Sequence, residues 1–183
     1  GINPKKIVFS GVGKTSNEIS YAIDKNILLI NAESKSEIQE IDRLAKLKRK
    51  KVYIGIRLNP NTDAKTLSQI STGKKENKFG VSEKNFSELI EYCNKSKNII
   101  LKCLSVHIGS QILDHKPYQK MLRIISKILN KINHKFEYID LGGGMGISYE
   151  KSNKKLNYNK YNIAIYLPLV IYMVILINFH QKS

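Results

Sequence analysis

Hydrophobic and polar positions along the first 140 or so residues repeat one unit: a short β-rich run, a turn, then an amphipathic helix. Ile7–Ser10 predicts a strand, and Thr15 with Glu18 three residues later predicts a capping box opening a helix through Ile19 and Ile23. Ile27–Asn31 predicts the second strand. Ser34 and Glu37 repeat the capping box, and Ile38, Ile41, Leu44, Ala45 and Leu47 fall close to the spacing of one buried stripe. Val52–Leu58 predicts a third strand, closed by Asn59-Pro60-Asn61 and followed by a polar loop to about Val81. Residues 83–95 predict a helix with Phe86, Leu89, Ile90 and Cys93 on one face. Ile99–Ile108, Pro117–Ile132 and Phe136–Leu141 then predict strand, helix and strand. Five strands alternating with four helices imply an α/β fold with a parallel sheet built from right-handed βαβ units. Uninterrupted apolar strands such as Ile54-Gly55-Ile56 fit burial on both faces.

The pattern changes at Lys151. From there to Ser183 no Gly, Asp or Glu occurs, and Ile163–Phe179 is an apolar run of 17 residues containing Pro168. That is short for a membrane span of about 20 residues. The segment 151–183 is therefore expected to be an aberrant apolar tail, read as an out-of-frame continuation in preference to a membrane anchor. Residues 1–150 carry the patterned domain.

A formal net charge of +16 raises the question of nucleic acid, but only four of the 31 basic residues are arginines: Arg43, Arg49, Arg57 and Arg123. Lysine is the weaker bidentate base reader. The excess of Lys, Asn and Ile together is what an AT-rich coding sequence produces, so no nucleic-acid partner is expected. Cys93 and Cys103 stand at no metal-ligand or redox spacing, which predicts reduced thiols in a cytoplasmic protein and no metal.

In α/β sheets ligands gather at the carboxyl ends of the strands. Those ends read Gly11-Val12-Gly13-Lys14, Asn31-Ala32-Glu33-Ser34, Arg57-Leu58-Asn59-Pro60, His107-Ile108-Gly109-Ser110-Gln111 and Asp140 to Gly146. The first looks like a phosphate-binding loop, but the glycine that such a loop needs five residues before its Gly-Lys-Thr is Val8, so the cradle is too short. The last is the most informative. Three successive glycines after a strand let backbone N–H groups approach an anion closely.

Four stretches, "KIVFSGVGKT" (6–15), "ISTGKKENKFG" (70–80), "SVHIGSQI" (105–112) and "IDLGGGMGISY" (139–149), taken in this order, resemble the fold-type III pyridoxal-phosphate (PLP) decarboxylases, and within them the bacterial diaminopimelate decarboxylases. The resemblance covers residues 1 to about 150. It implies part of an alanine racemase-like, TIM-type (β/α)₈ barrel, about five of its eight strands (third to seventh), because the chain is too short for a complete barrel of roughly 250 residues. The implied reaction is PLP-dependent decarboxylation of meso-diaminopimelate to L-lysine and CO₂, in a homodimer.

Carried over position by position, His107 would stack on the cofactor ring. Ser110 and the N–H groups of Gly142, Gly143 and Gly144 would hold its phosphate, and Arg57 would be a supporting polar group. The family's Schiff-base lysine, in a Lys-Ala-Asn stretch on the first barrel strand, has no counterpart here, nor have its Glu-Pro-Gly-Arg segment and C-terminal β-domain. The expectation is an internal fragment without a catalytic residue, inactive alone. The competing expectation is a non-catalytic basic βα protein tethered by its tail.

Overall fold

The computed structural model describes residues 1–60, 79–147, 157 and 159–162. After a 3₁₀ turn at Pro4–Lys6 the elements run β1 (Val8–Phe9), α1 (Ser16–Asp24), β2 (Leu29–Ala32), α2 (Lys35–Leu47), β3 (Val52–Asn59), β4 (Val81–Ser82), α3 (Glu83–Lys95), β5 (Ile99–Ser105), α4 (Lys116–Leu129) and β6 (Tyr138–Asp140). The described residues fall into two compact units. Residues 1–60, 79–106 and 134–141 make the first, which holds every strand; residues 107–133, 142–147 and 159–162 belong to the second.

In the first unit the sheet runs β1-β2-β3-β5-β6, every neighbouring pair parallel, with β4 pairing β3 alone. The α/β reading is thus borne out. All five expected strands are present, each trimmed or shifted by a residue or more at its ends, except that β3 gains Asn59. The larger differences are local. The fourth expected strand stops at Ser105 rather than Ile108, and the chain beyond it turns at Gly109 (φ 134°) and Gln111 (φ 58°). β4 was not expected, since it lies at the end of what reads as a polar loop; the rest of that loop, and the tail from 163 onward, lie outside the described residues.

Thr15 makes the full capping box, its hydroxyl accepting from the Glu18 N–H while the Glu18 carboxylate accepts from the Thr15 N–H at 2.8 Å. Ser34 makes only half of one. Its hydroxyl accepts from the Glu37 N–H, but the Glu37 carboxylate reaches past Ser34 to the Glu33 N–H at 2.7 Å. Along α2, Ile38, Ile41, Leu44 and Ala45 are buried, whereas Leu47 is exposed. Leu47 stands nine positions after Ile38, half a turn from it at 100° per residue and past the edge of the buried stripe at Leu44.

The helices pack on one sheet face: α2 on β2, β3 and β5, and α3 on β3, β4 and β5. Val52, Ile54, Ile56 and Leu58 of the central strand are all buried. Strand alternation sends Tyr53, Gly55 and Arg57 to the opposite face. The register aligns Gly55 with Asn31 and Cys103, and Arg57 with Ser105, which in turn aligns with Asp140. A bulge between Leu101 and Cys103 preserves this phase by inserting Lys102, whose ammonium lies 3.9 Å from the Tyr53 ring centroid. Polar groups therefore collect on one face toward the carboxyl ends of the strands.

Candidate functional site

In the first unit those strand ends form two polar clusters. Arg57, the sixth residue of β3, donates from one guanidinium nitrogen to both oxygens of Glu33, at 2.9 and 3.0 Å. Glu33 is the residue after β2 and is almost fully buried. Deeper on the same face, the Asn31 amide donates to the Ser10 hydroxyl and to Asp140, both at 2.7 Å, and Ser105 donates to the same Asp140 oxygen at 3.2 Å. The Asn31 Oδ1 atom is buried without a donor among the described residues. It stands where a Cβ at position 55 would be, so glycine there makes room for the amide.

Lys14, the lysine of the loop after β1, answers the phosphate-loop question directly. Its ammonium donates to the Glu37 carboxylate at 2.6 Å and to the Gly11 carbonyl at 2.5 Å, and its side chain is 2% exposed. A cavity of about 520 Å³ beside this pair is lined by Val12, Ile19, Glu33, Glu37 and Phe79 among others. Burial pushes the Cys103 thiol up to about 12, with the charge of Asp140 adding to the effect, so it is an inert core group.

The second unit holds the remaining residues picked from the sequence. His107 is half-buried and engaged, and Ser110 is exposed. The Ser110 segment runs alongside the glycine loop through a parallel bridge between Ile112 and Met145: the Ile112 N–H donates to the Gly144 carbonyl at 2.8 Å and the Gly146 N–H returns to the Ile112 carbonyl at 2.9 Å. The approach is so close that a Cβ at Gly144 (φ 93°) would collide with the Gly109 carbonyl oxygen. Tyr118, fully buried on α4, donates to the Gly143 carbonyl at 3.1 Å. Burial pushes its phenol up to about 12, so the hydroxyl remains a donor at neutral pH.

The loop carbonyls of Gly143 and Gly144 are thus tied down from one side, while their N–H groups have no partner among the described residues. A Cβ at Gly143 would meet nothing within 4 Å. Backbone donors held in place and without a partner suit an anionic oxygen. The loop therefore fits a phosphate group.

Residues 1–174 match the family described as pyridoxal-dependent decarboxylase, pyridoxal binding domain. The chain belongs to this family. PLP is the cofactor of these pyridoxal-dependent decarboxylases. Among curated relatives it is 46% identical over 153 residues to a diaminopimelate decarboxylase of Helicobacter pylori, and 39% identical over 158 residues to one of Aquifex aeolicus. These alignments cover 82% and 85% of the chain but 38% of each relative. Among solved structures it resembles a diaminopimelate decarboxylase from M. jannaschii in complex with L-lysine (TM-score 0.85, 32% identity, 93% of this chain and 41% of that one). A Helicobacter pylori counterpart, also with L-lysine, matches at TM-score 0.82 and 41% identity over 92% of this chain and 43% of that one. The sheet is accordingly part of the TIM-type, PLP-binding barrel of the pyridoxal-dependent decarboxylases.

Sequence reasoning selected Arg57 in the first unit and His107, Ser110 and Gly142–Gly144 in the second. It passed over Asn31, Glu33, Glu37 and Asp140 as individual site residues. A lone Asn inside the apolar run Leu28-Leu29-Ile30-Asn31-Ala32 was the available signal for the first of these. For Glu37 the capping box offered a sufficient local explanation.

Proposed function

We propose that this chain is the cofactor-holding part of a diaminopimelate decarboxylase, an enzyme that converts meso-diaminopimelate to L-lysine and CO₂ in the cytoplasm as a homodimer. The observation that carries the reading is the glycine loop, whose Gly143 and Gly144 N–H groups have no partner among the described residues while their carbonyls are held by Tyr118 and Ile112. In this reading Gly142, Gly143, Gly144 and Ser110 hold the phosphate of PLP through charge-assisted hydrogen bonds. His107 stacks on the pyridine ring, and Arg57 is a supporting polar group. When bound, PLP supplies the electron sink for the decarboxylation.

The residues of this chain bind and orient; the lysine that would carry the cofactor covalently is not among them, and the chain alone is read as inactive. The test is equilibrium dialysis of the chain against PLP with inorganic phosphate as competitor. Saturable retention that phosphate displaces, and that is weakened in Gly143→Val and Ser110→Ala, supports the reading. Retention unchanged in both variants refutes the assignment of the loop. Release of CO₂ from meso-diaminopimelate by the isolated chain would refute its inactivity.

A further inference from the structure

The glycine-lysine-threonine turn has a task that its likeness to a phosphate loop conceals. Glu33 is the first residue past β2, where its N–H has left the sheet ladder. That N–H donates instead to Glu37 at 2.7 Å, while the other Glu37 oxygen takes the Lys14 ammonium at 2.6 Å. Lys14 is itself pinned to the Gly11 carbonyl. The Glu33 side chain then receives Arg57. Side-chain exposures along the series are 2% for Lys14, 11% for Glu37, 7% for Glu33 and 16% for Arg57, so each charge relies on its neighbour rather than on water.

We propose that Glu37, locked by Lys14, is a positioning residue for Arg57, acting through the main chain and carboxylate of Glu33. The proposal rests on the reading above only where it gives Arg57 a supporting role for the cofactor. The mechanical claim stands on the hydrogen bonds themselves. Removing Lys14 leaves Glu37 a nearly buried carboxylate without its cation, which turns outward for water and releases the Glu33 N–H. Glu33 then loses its fixed place, and with it the Arg57 guanidinium.

The test follows the Arg57 side-chain N–H signals by NMR in isotope-labelled chain, assigned with Arg57→Lys, without cofactor. Distinct, slowly exchanging signals are expected in the unmodified chain, where both Glu37 oxygens are engaged. They should collapse in Glu37→Ala and in Lys14→Met, each checked for intact helix content by circular dichroism. If Glu37→Ala does not fold, Lys14→Met carries the comparison. Arg57 signals unchanged in the folded variants would overturn the proposal, because a merely stabilising ion pair would lower the melting temperature without freeing Arg57.

A second arm measures PLP retention, expected to weaken roughly tenfold in Glu37→Ala, about the effect of losing one charged hydrogen bond. Release of Arg57 with retention unchanged would leave the positioning role standing and remove Arg57 from the cofactor site. Failure of the unmodified chain to retain PLP would refute the functional reading, while the NMR arm still decides the role of Glu37.

Discussion

Replacing Gly55 with alanine is the smallest change that tests the buried polar layer. Alanine in a strand interior normally gains about 0.5–1 kcal/mol over glycine by reducing chain entropy. Here the new methyl would occupy the position of Asn31 Oδ1 and lie 3.0 Å from the Cys103 Cβ. The Asn31 amide must then move, losing its bonds to Ser10 and to Asp140. Those losses amount to about 1 kcal/mol for the hydroxyl and about 2 kcal/mol for the carboxylate. Crowding against Cys103 adds about 1 kcal/mol. The net destabilisation is about 3 kcal/mol, or a fall in melting temperature of about 10 °C for a chain of this size.

Urea titration followed by far-UV circular dichroism measures it, since the protein has no tryptophan. The decisive comparison is a double-mutant cycle with Asn31→Ala, where the methyl has room on the Asn31 side and only the Cys103 contact remains. A coupling of about 3 kcal/mol is expected, the sum of the two hydrogen bonds that Asn31 loses. A stabilised Gly55→Ala, or an equal cost with and without Asn31, would show that the amide does not occupy this space and would refute the layer as described.

Two further predictions concern groups outside the site. Asp42 on α2 accepts from Tyr92, Ser96 and Asn98, at 3.0, 2.7 and 2.9 Å, joining α2 to the end of α3 and the turn before β5. Asp42→Ala should cost about 2 kcal/mol in urea titration, the half-exposed site keeping the loss below the sum of three charged bonds. Burial raises the Asp42 carboxyl, but these three bonds outweigh it and hold the group below its usual value. Its contribution is therefore complete above an unfolded value of about 4 and is lost as pH falls through the lower folded value. Asp42→Asn should flatten that acid limb, and an unchanged limb would contradict the assignment. Burial also pushes both thiols, Cys93 and Cys103, up to about 12, the neighbouring charges of Asp42 and Asp140 adding to it. A thiol reagent at mildly alkaline pH should label neither cysteine in the folded chain, with labelling appearing as urea unfolds it; prompt labelling without denaturant would refute their burial.

What the amino-acid sequence determined by itself was the order of elements. Helix and strand periodicities are local, so the stripe Phe86, Leu89, Ile90, Cys93 and the run Val52–Leu58 declared themselves without any knowledge of their neighbours. The glycines after β6 were legible for the same reason: freedom of the backbone is a property of the residue. Partners distant in sequence were not. The pairing of Asn31 with Asp140, 109 positions apart, depends on parallel register and on a glycine between them that only the assembled sheet reveals. Glu37 showed itself as a capping residue, yet its carboxylate serves Lys14 and Glu33, because burial beside a cation outweighs a local bond that water could replace. Periodicity belongs to the chain; the assignment of each charge to its partner belongs to the sheet that brings them together.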